Sequence, residues 1–382
     1  MINKKTSITY NQVKEFLLKK GFIVKKKDKK KLLNNNFKAL YYTFLSSLAL
    51  ILIFFLIPTI VEFKQNTTIA SKEIENNSKT DFEKVLDQKK LKKFESTDEG
   101  LGTEYFEDIE YFEDTSDDDS PVDSVRFSAK EIEKLFRDTD YNLINVRKTK
   151  LVQPSSLDHL PEEMKIIQGS KKKKNLFIKI ILPLVLEENN KVKLNRKKLF
   201  AILNKSNNSA VEKRWLNKKF KQYGVLNKDL LTLKIRMDVV PVSLAIAQAA
   251  KETGWGKSRF ALEGNALFGQ WTWSGEGIKP AGADPDTTHK IMKFKVLKTS
   301  VKAYIRNLNT HSSYKRFRLV RAVLRDNFKN LDSLILVNYL DKYAETGERY
   351  VAVLKKIIKQ NNLKDFDDVQ LMPSSIQLKS LI

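Results

Sequence analysis

No cysteine occurs anywhere in this chain of 382 residues. Disulfides, thiolate metal ligands and a cysteine nucleophile are therefore excluded. Histidine is nearly as scarce: His159, His289 and His311 are the only three, and they stand far apart in sequence. That argues against a zinc-type cluster and against a Ser–His triad. Neither GxGxxG nor GxxxxGK[ST] is present, so the loops that cradle nucleotide phosphates are missing. No metal ion and no cofactor is expected. Acidic residues are scarce in two stretches. Residues 1–38 carry 12 lysines against Glu15 and Asp28 alone, and residues 171–382 carry 42 Lys and Arg against 18 Asp and Glu, a net +24 equal to that of the whole chain. So basic a half suits an anionic polymer such as nucleic acid, an anionic membrane or acidic cell-wall material; a plain solvated surface is the equally open alternative.

Residues 39–61, ALYYTFLSSLALILIFFLIPTIV, are uncharged and long enough for one membrane crossing. The lysine-rich flank before them places the N-terminus in the cytoplasm and the rest outside. A single-pass anchor in the inner (cytoplasmic) membrane with a periplasmic C-terminal part is thus expected. A cleaved signal peptide is the rival, but its apolar core is shorter, about 7–15 residues. Residues 62–125 are read as a disordered acidic linker: positions 95–119 hold 12 acids and no Lys or Arg, with EYFED occurring twice, and such a block repels itself. Folding back onto the basic half and serving as a solvated spacer both stay open for it.

Order is expected from about Phe127, where SAKEIEKLF carries a helix-capping Ser128 with Glu131 three residues on. NLFIKIILPLVLEE (175–188) is interrupted by Lys179 and Pro183 and is too short to span, so it predicts a buried, kinked helix. LNRKKLFAILNK follows as a separate amphipathic helix, then LNKKFKQYGV ending at Gly224. TSVKAYIRNLNT, with Thr299 as cap, SSYKRFRLVRAVLRDN, LDSLILVNYLDKYA and GERYVAVLKKIIKQNN all show helical spacing. HKIMKFKV alternates over its second half after glycines and prolines, which predicts a small β-hairpin.

The decisive stretch is AQAAKETGWG (247–256). Pro241 suits a first helical turn, and Val242, Ile246, Ala249 and Thr253 form a stripe with Glu252 on its flank. Gly254 and Gly256 end the helix around Trp255, and Trp271 and Trp273 follow close behind. A carboxyl held against aromatic surface loses hydration and stays protonated nearer neutrality, as a general acid must. A helix-ending glutamate beside core tryptophans is the other reading these residues allow.

AQAAKETGWG followed by GNALFGQW resembles the glucosaminidase domain of family 73 glycoside hydrolases, with its helix ending in Glu-Ser-Gly-Trp-Gly and its Asn-Leu-Phe-Gly. The chain is more similar still to the bacterial Bax-like group, over FIKIILPLVLEENNKVKLNRKKL, GNALFGQWTW, SVKAYIRNLNTHSSYKRFR and YAETGERYVAVLKKIIKQNNL, about residues 154–365. The resemblance implies a mainly α (α+β) fold, a lysozyme-like helical lobe with a small β-hairpin lobe. Together with the basic cytoplasmic segment (1–38), the anchor (39–61) and the linker (62–125), which lie outside the resemblance and are read from composition, it gives an expected division that continues with a helical N-terminal part (126–225), a catalytic domain (226–365) and a tail (366–382). It implies hydrolysis of the β-1,4 bond between N-acetylglucosamine and N-acetylmuramic acid in peptidoglycan, with Glu252 as general acid. Tyr343 of YAET matches the family's Tyr-Ala-Thr-Asp tyrosine and Tyr350 a second one. Trp255, Asn265, Phe268, Gln270, Trp271 and Trp273 fall where the groove is lined.

One departure concerns the second carboxylate. Glu276, Asp284 and Asp286 are the acids between Trp273 and Val296, and none aligns with the family's hairpin glutamate; Glu276 is carried as the candidate. Attack by the substrate's own 2-acetamido group is the alternative. A lytic transglycosylase on the same fold and a non-enzymatic wall-binding scaffold are the rival functions, although the transglycosylase Gly-Leu-Met-Gln segment is missing. The expected partners are glycan strands and the membrane, not nucleic acid; a protein partner is not indicated.

Overall fold

The computed structural model describes residues 125–373 except 156, 274–275, 281, 283–288 and 329. The described residues all lie in one compact unit, Leu86–Ile382. The expected anchor, the acidic linker, Asp284, Asp286 and most of the tail fall outside them. Among the described residues no helix is long and apolar enough to cross a membrane.

The fold is mainly helical with two small sheets. Helix α1 (Ala129–Asp138) opens with the expected capping box, Ser128 and Glu131 bonding each other's backbone reciprocally. Helix α2 (Leu143–Thr149) leads to strand β1 (Leu151–Val152), which pairs in parallel with β5 (Gln370–Leu371) and so ties the two ends of the domain together. Helix α3 runs without a break over Ser170–Leu203. The two helices expected there are one, because nothing between residues 188 and 194 terminates a helix and Pro183 is accommodated within a buried segment. The apolar run is core, as expected: Leu176 through Leu186, Lys179 apart, are all buried.

Helices α4 (Ala210–Gln222) and α5 (Leu230–Arg236) follow. They enclose a satellite cluster of Leu199, Phe220, Tyr223, Val225, Leu233 and Met237, with Trp215 packed on its edge. Helix α6 (Val242–Thr253) is the hub, packed against α3, against α11 (Glu348–Gln360) and against the turn Leu363–Phe366. Pro241 is its N-cap rather than its first residue, and every side chain from Val242 to Ala250 is buried, so the helix is enclosed all round rather than along one stripe. Short helix α7 (Arg259–Gly264) then leads into a three-stranded sheet of β2 (Trp271–Thr272), β3 (Gly277–Ile278) and β4 (Lys290–Met292), in the order β2-β4-β3 and antiparallel throughout. The expected hairpin is thus a small sheet with β4 at its centre.

Helix α8 (Leu297–Thr310) is capped by the backbone of Val296, not by Thr299, which lies inside the first turn. The helix starts earlier because Leu297 is buried and its N–H donates to the Asp158 carbonyl. Helix α9 (Lys315–Phe328) is as expected, with Phe317, Val320 and Leu324 buried. LDSLILVNYLDKYA, however, divides into α10 (Ser333–Leu336) and two 3-10 turns, Val337–Tyr339 and Asp341–Tyr343. Leu336, Val337 and Leu340 are all fully buried, an apolar pattern that successive short turns satisfy as well as one helix.

The approach to α6 is fixed by buried charge. Asp238, 2% exposed, receives Arg325 through two bonds of 2.8 and 3.2 Å, with Arg196 at 3.8 Å. The Arg321 guanidinium, fully buried, donates to the carbonyls of Asp238, Val239 and Ile235. Burial pushes the Asp238 carboxyl up, but Arg321, Arg196 and Arg325 more than offset it and hold it below its ordinary value. Asn189 on α3 exchanges two bonds with the Val240 backbone, and the Asp367 carboxylate accepts from both Ser243 N and Oγ at 2.8 Å. Removing one partner of such a network strands the others. Asp238→Ala should therefore cost about 3–5 kcal/mol of stability, read as a lowered urea midpoint; an unchanged midpoint would show that the arginines do not depend on it.

Candidate active site

The C-terminal turn of α6 carries Glu252. Gly254, in the left-handed region at φ 58°, caps the helix, and Trp255 (φ 63°) and Gly256 (φ 82°) continue the turn. A non-glycine in that conformation costs free energy and persists only where its surroundings fix it. Here Thr253 does so: its hydroxyl donates to Ala249 O at 2.6 Å and accepts from Gly256 N at 2.8 Å. Gly256 is required for a second reason, since a Cβ there would lie 3.0 Å from Met164 and 3.1 Å from Phe177.

The Glu252 carboxyl is enclosed on several sides. Oε1 is shielded from solvent and has no hydrogen-bond partner, while Oε2 lies 3.4 Å from where a Gly269 Cβ would stand. Gly269 has φ 61°, so the Phe268–Gln270 backbone comes up against the carboxyl with no side chain between. Burial raises the Glu252 pKa above the ordinary carboxylate value, and a hydrogen bond from Tyr350 and the charge of Lys251 oppose this without cancelling it. The position itself works in the same direction, because the C-terminal end of a helix disfavours negative charge.

Behind the carboxyl lies a chain of hydrogen bonds. The Tyr304 hydroxyl donates to Gln248 Oε1 at 2.6 Å, and Gln248 Nε2 donates to the Tyr350 hydroxyl at 3.0 Å. Tyr350 is thereby left to donate to Glu252. Gln248, Tyr304 and Tyr350 are essentially inaccessible. Tyr343 stacks on Tyr350, with centroids 5.6 Å apart and planes 8° from parallel, and Tyr314 leans on Tyr343 at 5.9 Å. The Tyr343 hydroxyl donates to Phe268 O at 2.8 Å, and the Phe268 ring stacks 3.8 Å from Tyr304. Burial pushes all four phenols above their usual range, so they act as neutral donors.

Glu252, Phe268, Tyr343 and Tyr350 are thus brought together, with Gln270 next in the chain. The Gln270 amide donates to Ala303 O at 3.3 Å, and its carbonyl is buried and unpartnered. Trp271 and Trp273 are 45% and 50% exposed at the small sheet, and Trp271 meets the His289 ring edge-on at 4.5 Å. Glu276 is exposed in the connection between β2 and β3, its carbonyl accepting from Lys293 N. The contacts of Trp255 and Asn265 run elsewhere. Trp255 packs edge-on against Phe177 of α3 beneath Lys174. Buried Asn265 donates to the carbonyls of Phe294 and Lys295 and meets His159 at 3.1 Å, holding the lead-in to α8. Gln248, Tyr304 and Tyr314 were not anticipated. Gln248 is one helical turn before Glu252, a spacing legible in sequence, whereas the two tyrosines reach the site only through the packing of α8 and the turn Ser312–Tyr314. Among the described residues no group of three His, Asp or Glu side chains is placed to hold a metal ion.

Residues 228–363, which contain all of these groups, match the family model of mannosyl-glycoprotein endo-beta-N-acetylglucosaminidase, the glucosaminidase domain. The chain is 30% identical over 208 residues to protein bax of Escherichia coli (strain K12), covering 53% of this chain and 74% of that protein. The catalytic domain of the autolysin Auto from Listeria monocytogenes, a crystal structure, is matched at 22% identity over 46% of this chain and 97% of that domain, with a TM-score of 0.26. By its identity over most of the Escherichia coli protein, and by the domain match within it, the chain belongs to the bacterial Bax-like family and carries a glycoside hydrolase domain of the glucosaminidase type.

Proposed function

We propose that this protein is a membrane-tethered peptidoglycan hydrolase that cleaves the β-1,4 bond between N-acetylglucosamine and N-acetylmuramic acid, with Glu252 as general acid. The observation that carries the reading is the Glu252 carboxyl itself. It lies inside the matched domain, is raised by burial, is supported by the Tyr304–Gln248–Tyr350 chain, and keeps one buried oxygen with no protein partner. A carboxylic acid that keeps its proton near neutrality can deliver it to the glycosidic oxygen as the bond breaks. Tyr350 positions the acid, and Tyr343 holds the Phe268–Gln270 backbone against it. Trp271 and Trp273 offer exposed aromatic surface at the small sheet for the apolar faces of sugar rings. The positive charge of residues 171–382 favours a polymer bearing carboxylates, and the apolar run at 39–61 supports the tether.

The first test is mass spectrometry of fragments released from purified sacculi by the full-length protein and by Glu252→Gln. Reducing N-acetylglucosamine ends that fall about 10²–10⁴-fold in the variant support the assignment. Anhydromuramoyl ends would instead make the protein a transglycosylase, and no release by either protein would remove the enzymatic reading.

The pH profile supplies a second test. A general acid loses activity as pH rises through its pKa, so Glu252 sets the alkaline limb. Tyr350 stabilises the carboxylate, so Tyr350→Phe should move that limb to higher pH; a limb that stays in place would show that Glu252 does not set it. A third concerns binding. Trp273→Ala removes surface that is already half exposed, so it should raise KM with kcat largely kept and the melting temperature unchanged. A fall in kcat at constant KM would place Trp273 in the chemistry instead.

A further inference from the structure

Helix α3 begins in a way that works against itself. Its N-cap, Gly169, provides no side-chain cap, and its first turn holds no acid. The sequence there is Ser170 followed by Lys171, Lys172, Lys173 and Lys174, four cations at the positive end of a 34-residue helix dipole. Lys257, just past the end of α6, adds to the group: burial, then Lys257 and Lys174, hold Lys173 below its ordinary pKa. Carboxylates on the neighbouring segments are already engaged. Glu133 meets Lys172 at 3.4 Å, Glu162 meets Arg126 at 2.8 Å, and Glu163 accepts from Ala129 N. No ion pair among the described residues involves Lys171, Lys173, Lys174 or Lys257. Close by, Ile166 is 75% exposed, so the face offers an apolar spot beside its positive charge.

We propose that this lysine face is the docking site of the chain's own acidic segment, residues 95–119. The segment has the complementary composition: 12 acids, no Lys or Arg, and the aromatic pairs Tyr105–Phe106 and Tyr111–Phe112 within its two EYFED copies. Topology delivers it to the right place. Helix α1, a few residues downstream, lies along the start of α3, with Lys172 on Glu133, Lys179 over the Phe136 ring at 5.3 Å, and the Tyr141 hydroxyl on Lys179 O. Arg126, at the entrance to α1, binds Glu162 and Leu262 O, and the adjoining Met164 lies against Gly256, the neighbour of Lys257. The seven residues from Asp119 to Arg126 reach at most about 25 Å, enough to lay the acidic segment back across the lysines. Docking there places it beside Trp255, whose ring Lys174 covers at 5.0 Å, at the end of the helix that carries Glu252. The inference rests on charge and topology and holds whatever Glu252 does.

The test uses the full-length chain, mixed with an isotopically labelled copy and treated with a water-soluble carbodiimide, which joins carboxylates to lysines in contact. The expected result is isopeptide bonds from residues 95–119 to Lys171, Lys173, Lys174 and Lys257 of the same molecule. These should be several-fold enriched over bonds to exposed lysines such as Lys213 and lost at 1 M salt, where the screening length falls to about 3 Å. Replacing the 12 acids by Asn and Gln should in parallel raise the acetylation rate of those four lysines relative to Lys213. Bonds spread evenly over exposed lysines, or acetylation rates unchanged by neutralising the segment, would overturn the proposal. So would bonds that join labelled to unlabelled chains, which would make a second copy the occupant.

Discussion

The desolvation of one carboxyl at the end of a buried helix governs the architecture around it. A glutamate in the last turn of a helix faces the negative end of the dipole, and enclosing it adds the cost of removing its charge from water. The fold meets both by burying α6 from Val242 to Ala250 and by surrounding Glu252 with neutral phenols rather than cations. A lysine or arginine in direct contact would have returned the carboxyl to its ordinary range and kept it ionised. Among the described residues, the cation that acts on it is Lys251, the adjacent residue on the exposed side of the helix, and it only moderates the shift.

The charge that the site avoids is placed at the opposite end of α6. There, Arg196, Arg321 and Arg325 converge on Asp238 and on the carbonyls around it. Burial and neighbouring cations draw the Arg321 pKa down to about 10, so the guanidinium keeps its charge and remains a donor. At the start of the helix Asp367 accepts from Ser243, and burial raises its pKa to about 6 in spite of those bonds. A carboxylate at a helix N-terminus is favourable, so the same dipole that disfavours the Glu252 anion favours the Asp367 anion. Two carboxyls thus meet the two ends of one helix in different environments, Asp367 anchoring its start and Glu252 held in a desolvated setting in its last turn.

Much of this was legible in the chain. The glycine–tryptophan–glycine turn, the Ser128 box and the burial of the run at 176–186 all follow from local rules, because backbone sterics, capping and helical spacing act within a few residues. The breaks were harder to read. One long helix where two were expected, and short turns where one helix was expected at 333–343, differ only in how neighbouring elements cover the same apolar residues. Periodicity carries no record of that cover.

Sequence by itself determined that a glutamate ends an alanine-rich helix, that glycines turn the chain behind it, and that the family signature surrounds it. Tertiary structure alone decided the rest. It placed Gln248 between Tyr304 and Tyr350, residues 56 and 102 positions further along the chain. It turned Trp255 toward Phe177 and committed Asn265 to the loop before α8. The physical reason is one of range. Torsional and capping preferences are local, whereas the desolvation that tunes a carboxyl is a sum over whatever distant segments pack around it.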